Sequence, residues 1–315
     1  MAIEAGLAYA PPLLFAGLRL LIAGIVLFTV AILWNTPLLP ARPMWPWLIV
    51  LALAASAFAF GSMFLAPRYT GAGVAAVLGN TQPLIAIVLA ALFLGERVTR
   101  RKMAALVLGL AGVALIAEFR PASGAATFVG PLLAFASAMG LTVGSVIVKR
   151  VGSGSDLLML SAWQLSLGAV PLLAVSLATE RATDLLWAPQ FLGLLAFLSL
   201  AGTAFLTVAW YVLIRSGELG RLSLFFFLVP AFGLGLAVWL LGETVSGTQG
   251  VGLLLVVAAL AAAASPKRLA GRASGPGAGR RARTASDGSD RRPSGASERV
   301  GVADPMASAV ERAGG

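Results

Sequence analysis

Few side chains in this sequence could bind a small molecule, and Arg19 is the strongest candidate. It lies seven residues inside an apolar run that begins at Pro12, about 10 Å along a helix axis. A fixed cation at that depth could hold a carboxylate or a phosphate. The long side chain could instead extend to the nearest polar boundary, and the sequence favours neither interpretation.

Amide side chains form a second set of candidates. Asn80 and Gln82 precede Pro83, whose missing N–H frees a carbonyl one turn earlier and predicts a local break in the helix. Gln164 lies beside Trp163 in a later apolar run. Buried amides need hydrogen-bond partners, which are either neighbouring helices or a substrate. Contacts between helices are the simpler interpretation, and the break strengthens Asn80 and Gln82 as binding candidates.

A third set lies on one predicted helix. Thr203, Thr207 and Trp210 are spaced i, i+4 and i+7, which places them on one face, and Tyr211 follows. These side chains could line an amphipathic pocket. Trp and Tyr near a helix end are more often part of an aromatic belt at a membrane surface.

Two Gly-Glu pairs close apolar runs that contain a proline. Glu96 follows Pro83 and Glu243 follows Pro230 at the same spacing. Each carboxylate could pair with an arginine during gating or take up a proton. The sequence favours a structural role in the turn, because a charged carboxylate at a membrane boundary costs little free energy.

Residue types that are missing exclude several kinds of chemistry. The chain has no Cys and no His, which excludes disulfides, thiolate nucleophiles, Ser-His-Asp triads and imidazole proton relays. It also has no Walker A motif for ATP. We therefore expect no enzyme activity, no cofactor and no metal site.

The composition predicts an all-α polytopic membrane protein. Of 315 residues, 59% are hydrophobic and 11% are charged, whereas a soluble domain carries about 25% charged residues. Nine runs approach the length of about 20 residues that spans a bilayer. They are 12–34, 47–66, 73–94, 103–117, 130–148, 157–178, 191–213, 222–241 and 247–264.

Lys and Arg in the loops predict the orientation, because positively charged loops stay in the cytoplasm. One set of alternate loops carries nine of them: Arg42, Arg97, Arg100, Arg101, Lys102, Lys149, Arg150, Arg215 and Arg221. The other set carries three: Arg68, Arg120 and Arg181. The C-terminus falls on the nine-charge side. We therefore expect a multi-pass protein of the cytoplasmic membrane with a cytoplasmic C-terminal tail.

The two halves of the sequence are related. An offset of 147 aligns 8 identical residues within 31 positions, where this composition gives about 3 by chance. Five predicted helices separate the two Gly-Glu pairs, and an odd number places them on opposite membrane faces. Inverted repeats of this kind are typical of secondary transporters that work by alternating access. A duplicated membrane protein with another role is the alternative.

A second offset, of 145, aligns Arg19 with Gln164 and Met1 with Val146. The helix predicted at 130–148 therefore has no complete counterpart in the first half. Either the protein has nine spans, or the sequence begins at an internal Met and lacks most of a first helix. The second interpretation is favoured.

These features resemble the EamA family of the drug/metabolite transporter superfamily. The resemblance rests on the segment 11–19, on 83–96 with the basic turn and 109–113 after it, and on 230–243. It implies ten helices in two inverted five-helix repeats, both termini in the cytoplasm, and export of metabolites or toxic compounds through a central cavity. The repeats would occupy 1–120, where most of the first helix is missing, and 128–264.

Residues 265–315 form a basic tail rich in Gly, Ala, Ser, Pro and Arg, which is predicted to be disordered. The whole sequence predicts a secondary transporter that exports small metabolites or drug-like compounds, with amino acids among the candidates. A membrane regulator or assembly factor without transport activity is the alternative. The bilayer and a small-molecule substrate are the expected partners, a homodimer is an alternative to a monomer, and nucleic acid is not expected.

Overall fold

The computed structural model describes residues 2–69, 78–117, 129–151, 156–241 and 245–264. The chain divides into two units, Met1–Pro266 and Lys267–Gly315. The predicted tail, Arg120 and Glu243 lie outside the described residues. All the described residues lie in the first unit.

Ten main helices, besides a short 3-10 turn at Ala182–Asp184, make up the described part of the first unit, which contains no β-strand. They are α1 (Ala2–Leu7), α2 (Pro12–Leu33), α3 (Arg42–Tyr69), α4 (Gln82–Leu94), α5 (Arg100–Ile116), α6 (Val129–Val151), α7 (Leu157–Thr179), α8 (Pro189–Ser216), α9 (219–241) and α10 (Gly247–Ala264). Six of the described helices, α2, α3, α6, α7, α8 and α10, are long and apolar enough to cross a membrane. The prediction of an all-α polytopic membrane protein is confirmed.

Helices α2 and α7 form one of the closest pairs in the protein, and they run antiparallel. Gly17 lies against Leu173, while Gly24, seven residues later, lies against Ser166, seven residues earlier. The contacts at both glycines are too close to leave room for a Cβ atom. These two helices are also the ones that the offset of 145 aligns, so matched segments of the two halves pack in opposite directions.

Small residues set the distance between other helices in the same way. On α6, Gly140 and Gly144 lie against Ala54 and Ala55 of α3. A Cβ on Gly112 of α5 would lie 2.7 Å from the carbonyl oxygen of a glycine on α10. The backbones therefore approach closely, which brings polar groups of neighbouring helices within hydrogen-bond distance.

Two of the described helices contain a stretch of π-helix, at Ala52–Phe58 in α3 and at Leu200–Phe205 in α8. The offset of 147 matches Ser56 in the first stretch with Thr203 in the second. A π-helical turn widens the helix locally and is frequent at functional sites. Each stretch lies beside one of the buried polar side chains singled out in the sequence.

Candidate functional site

The side chain of Arg19 lies inside the protein and joins α2 to the π-helical stretch of α8. It is 5% exposed. Its Nε donates to Thr203 Oγ1 at 2.6 Å, and its Nη2 donates to the Gly202 carbonyl at 3.0 Å. The guanidinium carbon lies 5.3 Å from the ring centre of Phe60 and 5.7 Å from that of Phe64, within the range of cation–π attraction.

Thr203 is oriented for this role by its own helix. Its hydroxyl donates to the Leu198 carbonyl at 2.9 Å, five residues earlier in the widened turn. The hydroxyl oxygen is therefore left as an acceptor for Arg19. The Nη1 atom of Arg19 is buried and has no hydrogen-bond partner within the described ranges.

A second buried polar cluster is centred on Gln164, which is 2% exposed. Its Nε2 donates to Ser56 Oγ at 3.0 Å, and its Oε1 accepts from the Tyr211 hydroxyl at 2.6 Å. The cluster joins α7, α3 and α8. Both ends of the amide are bonded by protein groups.

These two clusters occupy matched positions in the two halves. Arg19 aligns with Gln164, and their partners Thr203 and Ser56 align with each other. Because α2 and α7 are antiparallel, the two side chains lie on either side of the middle of the pair, roughly 10 Å apart along it. The structure thus brings Arg19 together with Thr203, and Gln164 together with Tyr211.

The remaining candidates on α8 and α7 contact other elements. Trp210 donates from Nε1 to Ser145 Oγ of α6 at 2.9 Å. Trp163 donates to the Leu38 carbonyl at 2.7 Å. Thr207 is half-buried. The predicted common face assumed a regular α-helix from Thr203 onward, but the π-helical stretch directs Thr203 to α2 and leaves Trp210 facing α6.

Asn80 and Gln82 lie at the predicted break. Asn80 is half-buried in a turn, and α4 begins at Gln82, whose side chain is buried. Pro83 is therefore in the first helical turn, where its missing N–H leaves no bond unmade. In α9, Pro230 is the third residue of the helix Leu228–Leu241, after a 3-10 turn. Helix α4 packs against α6 and α9, so this break belongs to a different part of the bundle from Arg19.

Glu96 connects the ends of several helices. Its side chain is 8% exposed and pairs with Lys149 at 2.9 Å and with Lys102 at 3.3 Å. It also accepts the backbone N–H groups of Leu219 and Gly220, at 2.6 and 3.0 Å, in the first turn of α9. Burial alone would raise the pKa of the Glu96 carboxyl, but the bonds from Lys149 and from the two N–H groups outweigh it and lower that pKa below its ordinary value.

Glu180 is a comparable residue that the sequence interpretation missed. Its carboxylate accepts the N–H groups of Leu13 and Leu14 at 3.0 and 2.9 Å, and the Ser176 hydroxyl at 2.8 Å. It therefore caps the start of α2, which follows Pro11 and has no side-chain cap of its own. A helix that begins after Pro11 without a local cap was the available signal.

Ser56 was also missed, although the offset of 147 aligns it with Thr203. Lys102 and Lys149 were counted only as charges that set the orientation. Their approach to Glu96 depends on contacts between distant segments, for which the sequence holds no local signal. In the described ranges, no group of three or more Asp and Glu side chains could hold a metal ion.

Comparison with known proteins agrees with this architecture. The model of the EamA-like transporter family matches residues 1–117 and 128–264. The chain belongs to the EamA-like transporter family. As an EamA-family member it is a multi-pass membrane transporter.

Relatives of this EamA protein include an uncharacterized transporter, YvbV, of Bacillus subtilis, which is 34% identical over 82% of this chain and 84% of its own length. A probable amino-acid metabolite efflux pump of Salmonella typhimurium is 30% identical over 82% of this chain and 88% of its own length. A solved crystal structure of a protein 20% identical in sequence superposes with a TM-score of 0.73 over 83% of this chain and 90% of its own, which shows the fold.

Proposed function

We propose that the protein exports small amphipathic metabolites or drug-like compounds across the cytoplasmic membrane by alternating access. The transported compound would bind between α2, α3, α7 and α8, and the repeats at 1–120 and 128–264 would move against each other. The observation that carries this proposal is the antiparallel packing of α2 and α7. The buried clusters of Arg19 and Gln164 lie on either side of the middle of this pair. Polar side chains held inside a membrane bundle commonly mark a substrate pathway.

Contacts at the two ends of the bundle support a movement of this kind. Glu180 joins the start of α2 to the end of α7, while Glu96 joins the α4–α5 turn to the start of α9 and to Lys149 of α6. With the predicted orientation, Glu180 is on the outer face and Glu96 on the cytoplasmic face. Each carboxylate connects the first half to the second, so opening either face breaks one set of charged bonds and keeps the other.

The energy source would be a gradient of an ion or of the substrate itself. The relative named as an amino-acid metabolite efflux pump supports amino acids as candidate substrates. The uneven distribution of loop Lys and Arg supports the cytoplasmic membrane and a cytoplasmic C-terminus. A membrane regulator without transport activity is the competing function.

Reconstitution distinguishes the two functions. Proteoliposomes loaded with an equimolar mixture of the twenty amino acids should release a subset of them faster than protein-free liposomes of the same lipid, as measured by mass spectrometry of the outer medium. Efflux should saturate as the internal concentration rises, because a carrier has a limited number of sites. If vesicles with and without the protein released this mixture equally, and also released N-acetyl amino acids and their amides equally, the transport function would be rejected and the regulator function favoured.

A further inference from the structure

We infer that Arg19 is the binding residue for a single carboxylate on the transported compound, and that the apolar or aromatic part of that compound packs against Phe60 and Phe64. This inference rests on the proposed transport function and names the substrate class of that site. The substrates would be small monocarboxylates with an apolar side group. Analogues of the same shape in which a neutral amide replaces the carboxylate, and analogues with a net positive charge, would be excluded.

Arg19 has hydrogen-bond donors that no protein group in the described ranges uses. A guanidinium has five N–H donors, of which Nε–H and one Nη2–H are used by Thr203 and Gly202. Nη1 is buried and has no partner in the described part of the chain. One N–H of Nη2 and both of Nη1 are therefore available, which is the fork that binds the two oxygens of a carboxylate.

The positive charge of Arg19 also indicates an anionic ligand. The recorded contacts of its side chain within the described segments are a hydroxyl, a carbonyl and two aromatic rings, and none is a carboxylate. A buried charge without a counter-ion is strongly unfavourable. A substrate carboxylate would neutralise it, so binding would be favoured by the same cation that destabilises the empty site.

Gln164, the matched residue in the other half, shows what helix packing alone requires at this position. Gln164 has the same position on α7, contacts Ser56 where Arg19 contacts Thr203, and has both ends of its amide bonded. A neutral amide is thus sufficient to join these helices at a π-helical stretch. Helix packing alone does not require the positive charge of Arg19, which leaves that charge for a ligand.

The helical spacing of α2 places Arg19 two turns inward from a cavity at the protein surface. An open cavity of about 460 Å³ is lined by Pro11 at the start of α2 and by Arg68 at the end of α3. One turn further in, the rings of Phe15 and Phe64 meet edge to face at 5.2 Å. Arg19 follows Phe15 after one more turn. The two phenylalanines therefore lie between the cavity and Arg19, and their separation would connect the two.

The size of the charge points to a monocarboxylate. Arg19 is a single cation with one free fork, and among the described residues none of its recorded side-chain contacts is a second cation. A phosphate dianion would keep an uncompensated negative charge in the membrane interior. The adjacent rings of Phe60 and Phe64 offer apolar surface to the rest of the molecule.

The test compares matched compounds in proteoliposomes loaded with leucine, methionine and phenylalanine, their N-acetyl derivatives and the amides of those derivatives. Each N-acetyl acid and its amide have nearly the same shape and differ in one negative charge. The full-length protein should release compounds that carry a carboxylate and no net positive charge at least about tenfold faster than the amides. A hydrogen bond to a charged group strengthens binding by roughly tenfold to a hundredfold.

The variant Arg19→Gln gives α2 the residue that α7 has at the matched position. It should lose this discrimination, with release of the acids falling to about that of the amides, whereas Arg19→Lys should keep a clear preference for acids. A monodisperse elution profile shows whether each variant is folded. Equal release of acids and amides by the unmodified protein, or an unchanged preference in Arg19→Gln, would overturn the carboxylate site and leave transport standing. Absence of all release would overturn the transport function as well.

Discussion

A single carboxylate, that of Glu96, satisfies four donors from three parts of the chain. It accepts Lys102 and Lys149 and two backbone N–H groups at the start of α9. Gly95 makes this possible, because its left-handed backbone, with φ of 66°, ends α4 and turns the chain toward the other helices. These contacts hold Glu96 in the turn after α4 and link the two halves of the protein.

The variant Glu96→Gln should destabilise the protein. Gln keeps the shape but removes the negative charge, leaving Lys102 and Lys149 without this counter-ion in a largely buried place. We expect a loss of about 2 kcal/mol at pH 7, measured as a lower melting temperature of the purified protein in detergent. Because folding lowers the pKa of Glu96, its contribution is present above its unfolded pKa and is lost as the pH falls through the folded pKa. The difference between the two proteins should therefore narrow at acidic pH.

Glu218→Gln is the matched control. Glu218 also pairs with Lys102, at 3.1 Å, but its side chain is 44% exposed, and exposed ion pairs contribute little. Its melting temperature should stay close to that of the unmodified protein. If both variants lost the same stability, or if the Glu96→Gln difference did not depend on pH, the charge of Glu96 would not be the cause.

At the scale of the helices, the apolar runs predicted where the chain folds but not how each helix deviates from regularity. Eight of the nine runs contain helical structure close to the predicted bounds. In the run at 73–94, helix α4 begins only at Gln82, after a turn at 80–81, and residues 73–77 lie outside the described ranges. The π-helical stretches of α3 and α8 were not predicted, because their residues are ordinary apolar ones and the widened turns depend on neighbouring helices. This is also why the predicted face of Thr203, Thr207 and Trp210 does not describe their contacts.

Gly168 of α7 shows how a helix contact positions a polar cluster. A Cβ at this place would lie 2.3 Å from the Cβ of Ser56 and 2.9 Å from the carbonyl oxygen of Ala52, both in the π-helical stretch of α3. Gly168→Ala should therefore push the backbones apart and weaken the bond between Ser56 and Gln164. We expect a loss of roughly 1 to 3 kcal/mol, typical of overpacking, measured as a lower melting temperature.

Gly193→Ala provides the comparison for this prediction. Gly193 lies in α8, and a Cβ there would have no described heavy atom of another part of the chain within 4 Å. Alanine is favoured over glycine in a helix by about 1 kcal/mol, so this variant should be as stable as the unmodified protein or more so. A Gly168→Ala protein as stable as Gly193→Ala would show that the contact between α7 and α3 is loose.

At the scale of the whole molecule, matched positions keep their geometry while their chemistry differs. Arg19 and Gln164 both contact a hydroxyl on the π-helical stretch of the opposite half. The start of α7 is capped locally by Asp156, whereas the start of α2 is capped by the distant Glu180. Repetition of sequence predicted the shared geometry. The differences could not be predicted, because they arise from pairs of residues far apart in the chain.

Alternating access requires that the two halves separate at the outer face, and a cross-link can test this. Arg68 of α3 and Arg181 after α7 are both exposed and line the same cavity. The natural chain has no Cys, so the double variant Arg68→Cys/Arg181→Cys reacts only at these two places. A short bis-maleimide should join them and reduce efflux from proteoliposomes at least about tenfold, since a covalent bridge holds the halves together across the cavity. Each single-cysteine variant, treated with the same reagent, should keep its efflux. Undiminished efflux from a fully cross-linked double variant would mean that the halves do not separate at this cavity. The protein would then still be a transporter, but one that does not open at this place.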